Sequence, residues 1–69
     1  MRDINRLDIF YDELKKYHKK LPDWRFGQFM TNFMSWYYQK TKRDCFYIED
    51  DKIMAYIQDF VQEMIGEKI

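Results

Sequence analysis

Ile4, Leu7, Phe10, Tyr11, Leu14, Tyr17 and Leu21 recur at three- and four-residue steps. That spacing gathers side chains into one stripe along an α-helix, within about 140° of one another around the axis. Asn5, Asp8, Asp12, Lys15, Lys16 and Lys19 take the opposite face, with Ile9 among them. Asp3 stands ahead of the stripe as an N-cap, its carboxylate able to accept from an unpaired amide of the first turn. Pro22 cannot continue the hydrogen-bond ladder. The pattern predicts a helix over about 4–20.

Asp23 offers a second cap, and 24–40 reads as the next helix. Phe26, Phe29, Met30, Phe33, Met34, Trp36 and Tyr37 cover nearly half its circumference, and Trp24 and Tyr38 widen the apolar surface. Its polar strip is narrow and almost uncharged: Arg25, Gln28, Asn32, Ser35 and Gln39. A helix of this kind is expected to be mostly buried and central. Gly27 costs roughly 1 kcal/mol against Ala in a helix, which predicts a compensating close approach by a neighbouring backbone or ring.

Thr41 to Ile48 is a connector. Phe46-Tyr47-Ile48 favours extended backbone, but no second strand accompanies it. It is expected to be a tethered loop whose aromatic rings plug one end of the bundle. Glu49, Asp50 and Asp51 then open a third helix, over about 50–65, where carboxylates suit the positive end of the helix dipole. Ile53, Met54, Tyr56, Ile57, Phe60, Val61, Met64 and Ile65 form its apolar face, and Gly66 is placed to end it. Short connections make neighbouring helices antiparallel. The expectation is an all-α fold: a compact up-down-up three-helix domain with an aromatic-rich central helix, one domain spanning 1–69.

Aromatic residues make up 20% of the chain, against two Gly and one Pro, which excludes a disordered polymer. One cysteine, Cys45, allows no internal disulfide, and with one histidine it makes no ordinary zinc site. The reading is a reducing, cytoplasmic compartment. No apolar run approaches the ~18 residues of a membrane span, and Met1-Arg2-Asp3-Ile4-Asn5 lacks a signal-peptide core. No membrane, metal or cofactor partner is expected.

The basic and acidic residues number twelve each, so no global field draws in nucleic acid. Lys15, Lys16, Lys19 and Lys20 are the candidate phosphate contacts. The topology places them at the opposite pole from Lys40, Lys42 and Arg43, however, and each group suits a helix C-terminus. The third helix carries Glu49, Asp50, Asp51, Asp59, Glu63 and Glu67 against Lys52 and Lys68, so phosphate would repel it as a recognition helix. Nucleic-acid binding is disfavoured. The Glu49–Asp51 group lacks the alternating ligands and mid-loop glycine of a calcium loop.

Catalysis finds no support in the residues. His18 sits on the apolar stripe at the end of the first helix, and Cys45 lies toward the other end of the bundle, too far for a dyad. There is no glycine-rich phosphate loop and no nucleophile elbow.

The apolar count exceeds what three short helices can cover, and Trp, Tyr and Met are types enriched at binding surfaces. The favoured expectation is a non-enzymatic protein–protein interaction domain, homodimeric or adaptor-like. Its surface would comprise Trp24, Tyr38 and the neutral row Gln28, Asn32, Ser35 and Gln39. One alternative is an inhibitor that presents Asp59 and Glu63 of the acidic third helix to a basic groove on its target. Another is a weak nucleic-acid-associated regulator.

Two segments, Pro22-Asp23-Trp24-Arg25-Phe26-Gly27-Gln28-Phe29-Met30-Thr31-Asn32-Phe33 and Arg43-Asp44-Cys45-Phe46-Tyr47-Ile48-Glu49-Asp50-Asp51, carry a resemblance. The chain resembles an uncharacterised family of short bacterial and phage proteins with a PD-x-R-x-GQ-x-x-x-N segment and a D-x-F-Y-x-E-D segment. That family usually has proline where this chain has Cys45, which speaks against a needed thiol. The resemblance implies no activity; a phage setting would favour an inhibitor or adaptor acting on a host protein.

Overall fold

A computed structural model describes residues 3–67. Lys68, counted above among the charges of the third helix, and the side chain of Glu67 lie outside that description. Three helices form, α1 (Arg6–His18), α2 (Phe26–Thr41) and α3 (Asp50–Glu67), with a 3-10 turn over Cys45–Tyr47. No strand occurs among the described residues.

The directions follow from which ends meet. The Arg6 guanidinium lies 3.6 Å from the Asp50 carboxylate, so α1 and α3 start at the same pole. Tyr37 meets Tyr56, and Phe33 meets Phe60. Rising number on α2 against falling number on α3 makes that pair antiparallel. The result is the up-down-up arrangement, with an aromatic-rich middle helix, that the periodicity predicts. Both α1 and α2 pack chiefly on α3.

Leu14, Leu21, Phe29, Phe33, Tyr37, Met54, Ile57, Phe60 and Val61 form the buried core. Phe60 is its hub, with ring centroids 5.8 Å from Phe29, 5.6 Å from Phe33, 5.6 Å from Trp36 and 6.0 Å from Trp24. These separations suit edge-to-face and tilted aromatic pairs, each of which adds about 0.5–1.5 kcal/mol beyond area burial.

The helix ends differ from expectation. Asp3 Oδ1 accepts from the Asn5 amide at 3.0 Å, and the Arg6 amide donates to the Asp3 carbonyl at 3.2 Å. Asp3 therefore caps a turn ahead of α1, and the helix proper begins at Arg6. After His18 the chain tightens, with Lys20 bonding to Tyr17 and Leu21 to His18. That delivers Leu21 into the core just before Pro22.

Asp23 does not cap α2. The Trp24 amide closes a turn onto the Leu21 carbonyl at 3.1 Å, so Asp23 and Trp24 belong to the connection. Arg25, extended at ψ 156°, precedes the first helical residue, and Gln28 Oε1 accepts from its amide at 2.8 Å. An arginine side chain has no acceptor, so only this returning half of a capping box operates.

Four further expectations are corrected. Gly27 has nothing within 4 Å of where a Cβ would sit, so no close approach compensates it. Phe46 and Tyr47 plug nothing: they are 79% and 86% exposed. The Asp44 carboxylate accepts from the Phe46 amide at 2.9 Å and winds the segment into a 3-10 turn. That rotates both rings outward, while Cys45 and Ile48 lean on the core. Gly66 lies inside α3 without positive φ and does not end it. Finally, α2 is buried along one side only, because α1 packs on α3 and leaves the far flank of α2 bare.

Candidate interaction surfaces

The predicted binding residues divide between places. Trp24, Asn32, Ser35 and Gln39 line one shallow depression between α2 and α3, together with Trp36, Lys40, Phe60, Glu63 and Met64. Trp24 itself is half-buried, its ring against Phe29 and Phe60. Gln28 and Tyr38 fall outside that depression. Gln28 is engaged as the α2 cap, and Tyr38 sits on the other flank with the Lys42 ammonium 6.0 Å from its ring centroid.

Glu63 is not a free acidic contact. One of its carboxylate oxygens accepts from the Trp36 indole at 3.0 Å and pairs with the Lys40 ammonium at 3.3 Å. Asp59 is exposed beside it, in a depression shared with Trp36, Lys40 and Tyr56. The four lysines diverge. Lys15 and Lys19 border a groove with Tyr11, Leu14, His18, Pro22 and Phe26, whereas the Lys20 ammonium lies 5.6 Å from the Tyr17 ring centroid.

His18 is half-buried at the end of α1. Its Nε2 lies 2.7 Å from the Trp24 carbonyl, and its ring is 5.0 Å from Phe29. Cys45 adjoins the opposite end of α2, a helix of 16 residues and so about 24 Å long. The two do not form a pair. Among the described residues, no group of three or more His, Cys, Asp or Glu is placed to hold a metal ion, and no helix is long and apolar enough to cross a membrane.

The feature that sequence reasoning missed is a ridge on α2. Phe26, Met30, Met34 and Tyr38 follow one another at four-residue steps, and Phe26, Met34 and Tyr38 are 59%, 44% and 57% exposed. Four residues turn a helix by 40° more than a full circle, so the row winds along the flank of α2 beside the buried Phe29, Phe33 and Tyr37. Counting Phe26, Met30 and Met34 with the buried face concealed it; the uninterrupted four-residue spacing was the signal. Tyr11 of α1, also exposed, borders the same groove as Phe26 and extends the apolar surface across the helix pair.

A second groove lies between α1 and α3 on the side away from α2. It encloses about 690 Å³ and is floored by Phe10, Tyr17, Met54 and Ala55, with Ile9 at its lip. Asp3, Glu13, Glu49, Asp50 and Asp51 border it, against Arg6 as the one cation.

These observations define a small three-helix domain whose chemistry-bearing side chains are spread over its surface, with apolar ground exposed in two separate places. No protein-family model, no curated protein and no solved structure matches the chain. The two segments that carry the family resemblance occupy the turn into α2 with its first half, and the 3-10 turn with the start of α3.

Proposed function

We propose that this protein is a non-enzymatic protein–protein interaction domain that pairs with a second copy of itself along α2. The carrying observation is the ridge Phe26–Met30–Met34–Tyr38, exposed at every position but the half-buried Met30. Its surroundings favour self-pairing: from Phe26 to Gln39 the chain holds no charged residue. Two-fold pairing brings the same patch of both copies together, so a charge near the axis would meet its own sign and one elsewhere would be buried against an apolar neighbour. Laid antiparallel about a two-fold axis at the middle of the ridge, Phe26 opposes Tyr38 of the second copy and Met30 opposes its Met34. One helix face buries less than the roughly 1,200 Å² of a standard interface, so the dimer is concentration-dependent.

Sedimentation equilibrium across a wide concentration range tests this. The native chain should approach dimer mass at high concentration, and Met34→Lys and Tyr38→Lys should remain monomeric while keeping native circular dichroism. Ser35→Arg, in the depression with Trp24, should leave the assembly unchanged. A chain that stays monomeric throughout, or a dimer that Ser35→Arg dissolves and Met34→Lys does not, removes the reading. The inhibitor alternative is weakened by the engagement of Glu63 with Trp36 and Lys40, and the divergence of the lysines gives the nucleic-acid alternative no support.

A further inference from the structure

The groove between α1 and α3 has a character different from the α2 ridge, and none of its lining residues belongs to α2. We infer that it is a docking site for a basic amphipathic helix of a partner protein. Parallel α1 and α3 present the groove, and α2 packs on the other side of the pair, so a helix laid along both walls meets no other element.

The floor supplies the apolar half of the match. Phe10 and Tyr17 from α1, and nearly buried Met54 from α3, lie beside Ala55, whose methyl leaves the row on α3 low enough for an incoming side chain. Ile9 is 66% exposed on the lip, a β-branched apolar residue in water. On α1 the lining runs from Arg6 to Tyr17, with Asp3 in the turn ahead of it, a rise of roughly 17 Å or about 11 residues of a bound helix. Helix-in-groove recognition uses apolar anchors at such spacing.

Charge selects the occupant. Five carboxylates face one guanidinium around the opening, and Arg6 is already paired with Asp50. Glu13 and Asp51 make no ion pair among the described residues and stand on opposite walls, one on each helix. With Asp50 paired to Arg6, Asp3 and Asp51 still place carboxylates at the end where both helices begin. A helix with Lys or Arg toward one end and apolar residues along one face satisfies both walls; an acidic helix is repelled, as like charges across an interface suppress wrong partners.

The test uses two labelled peptides of roughly 16 residues, long enough to fill the groove. Both carry leucine along one helical face; the remaining positions are Lys and Arg in one peptide and Glu in the other. Titration is followed by fluorescence anisotropy in the Met34→Lys background, so that the α2 ridge plays no part. The basic peptide should bind, more weakly as salt rises. Glu13→Lys with Asp51→Lys should weaken it about tenfold or more, and Ile9→Ser should weaken it without altering charge. Amide shifts should concentrate at Phe10, Met54 and Ala55. Equal capture of the acidic peptide, indifference to all three substitutions, or shifts that map to α2 would overturn the inference. So would the same shifts in concentrated protein alone, which would make a second copy the occupant.

Discussion

The Nε2 atom of His18 lies 2.7 Å from the carbonyl oxygen of Trp24, tying the end of α1 to the turn that leads into α2. A carbonyl can only accept, so the imidazole donates and its neutral form carries the proton on Nε2. The ring also rests on Phe29 at 5.0 Å. One side chain thus fixes the connection and covers the core. His18→Ala should lower stability by about 1–3 kcal/mol through the unpaired carbonyl and the lost ring contact, read as a fall in the urea midpoint. Long-range ¹H–¹⁵N spectra should show the Nε2–H tautomer.

Gly27 is the second residue of α2, exposed, and free of neighbours where a methyl would sit. Gly27→Ala removes unfolded-chain entropy at no steric cost. Unfolding should shift upward by about 0.4–1 kcal/mol, measured in the Met34→Lys background to isolate the monomer.

Lys42 closes α2 in the left-handed region at φ 59°, its amide bonded to the Tyr38 carbonyl at 2.7 Å. Glycine is at ease there and a β-branched residue is not. Lys42→Gly should raise the thermal midpoint and Lys42→Val should lower it, each by an amount near 1 kcal/mol.

Phe60 and the 3-10 turn make a paired test. Phe60→Ala empties the hub shared by Phe29, Phe33, Trp24 and Trp36. A loss of about 3–5 kcal/mol is most of what a domain of this size has, so circular dichroism should report an unfolded or barely folded chain. Phe46→Ala and Tyr47→Ala, in exposed positions, should each change stability by less than about 0.5 kcal/mol.

The Trp36–Glu63–Lys40 contacts look substantial on distance alone, at 3.0 and 3.3 Å. Both charged side chains are about half exposed, and water screens such pairs. Lys40→Ala should therefore cost under about 1 kcal/mol, diminishing as salt is added.

What periodicity could carry, it carried. The stripes through Leu14, Phe33 and Phe60 specify three helices because a repeat near 3.6 residues has one geometric meaning. Pro22 stops α1 through its missing amide. Local chemistry was already ambiguous: Asp23 and Gln28 both suit the head of α2, and the Trp24 turn decided for Gln28 by leaving Arg25 extended. Exposure was beyond the pattern altogether. Phe26 and Phe33 are the same residue type on the same helix, yet one is mostly in water and the other fully buried. Which flank of α2 stays bare depends on where its neighbours lie, and that is a property of packing between distant segments. The acidic groove has the same origin: Asp3, Glu13 and Asp51 become one rim only when α1 and α3 run side by side. Sequence fixes what each helix offers to its surroundings; the contacts among helices decide which of those faces meets water.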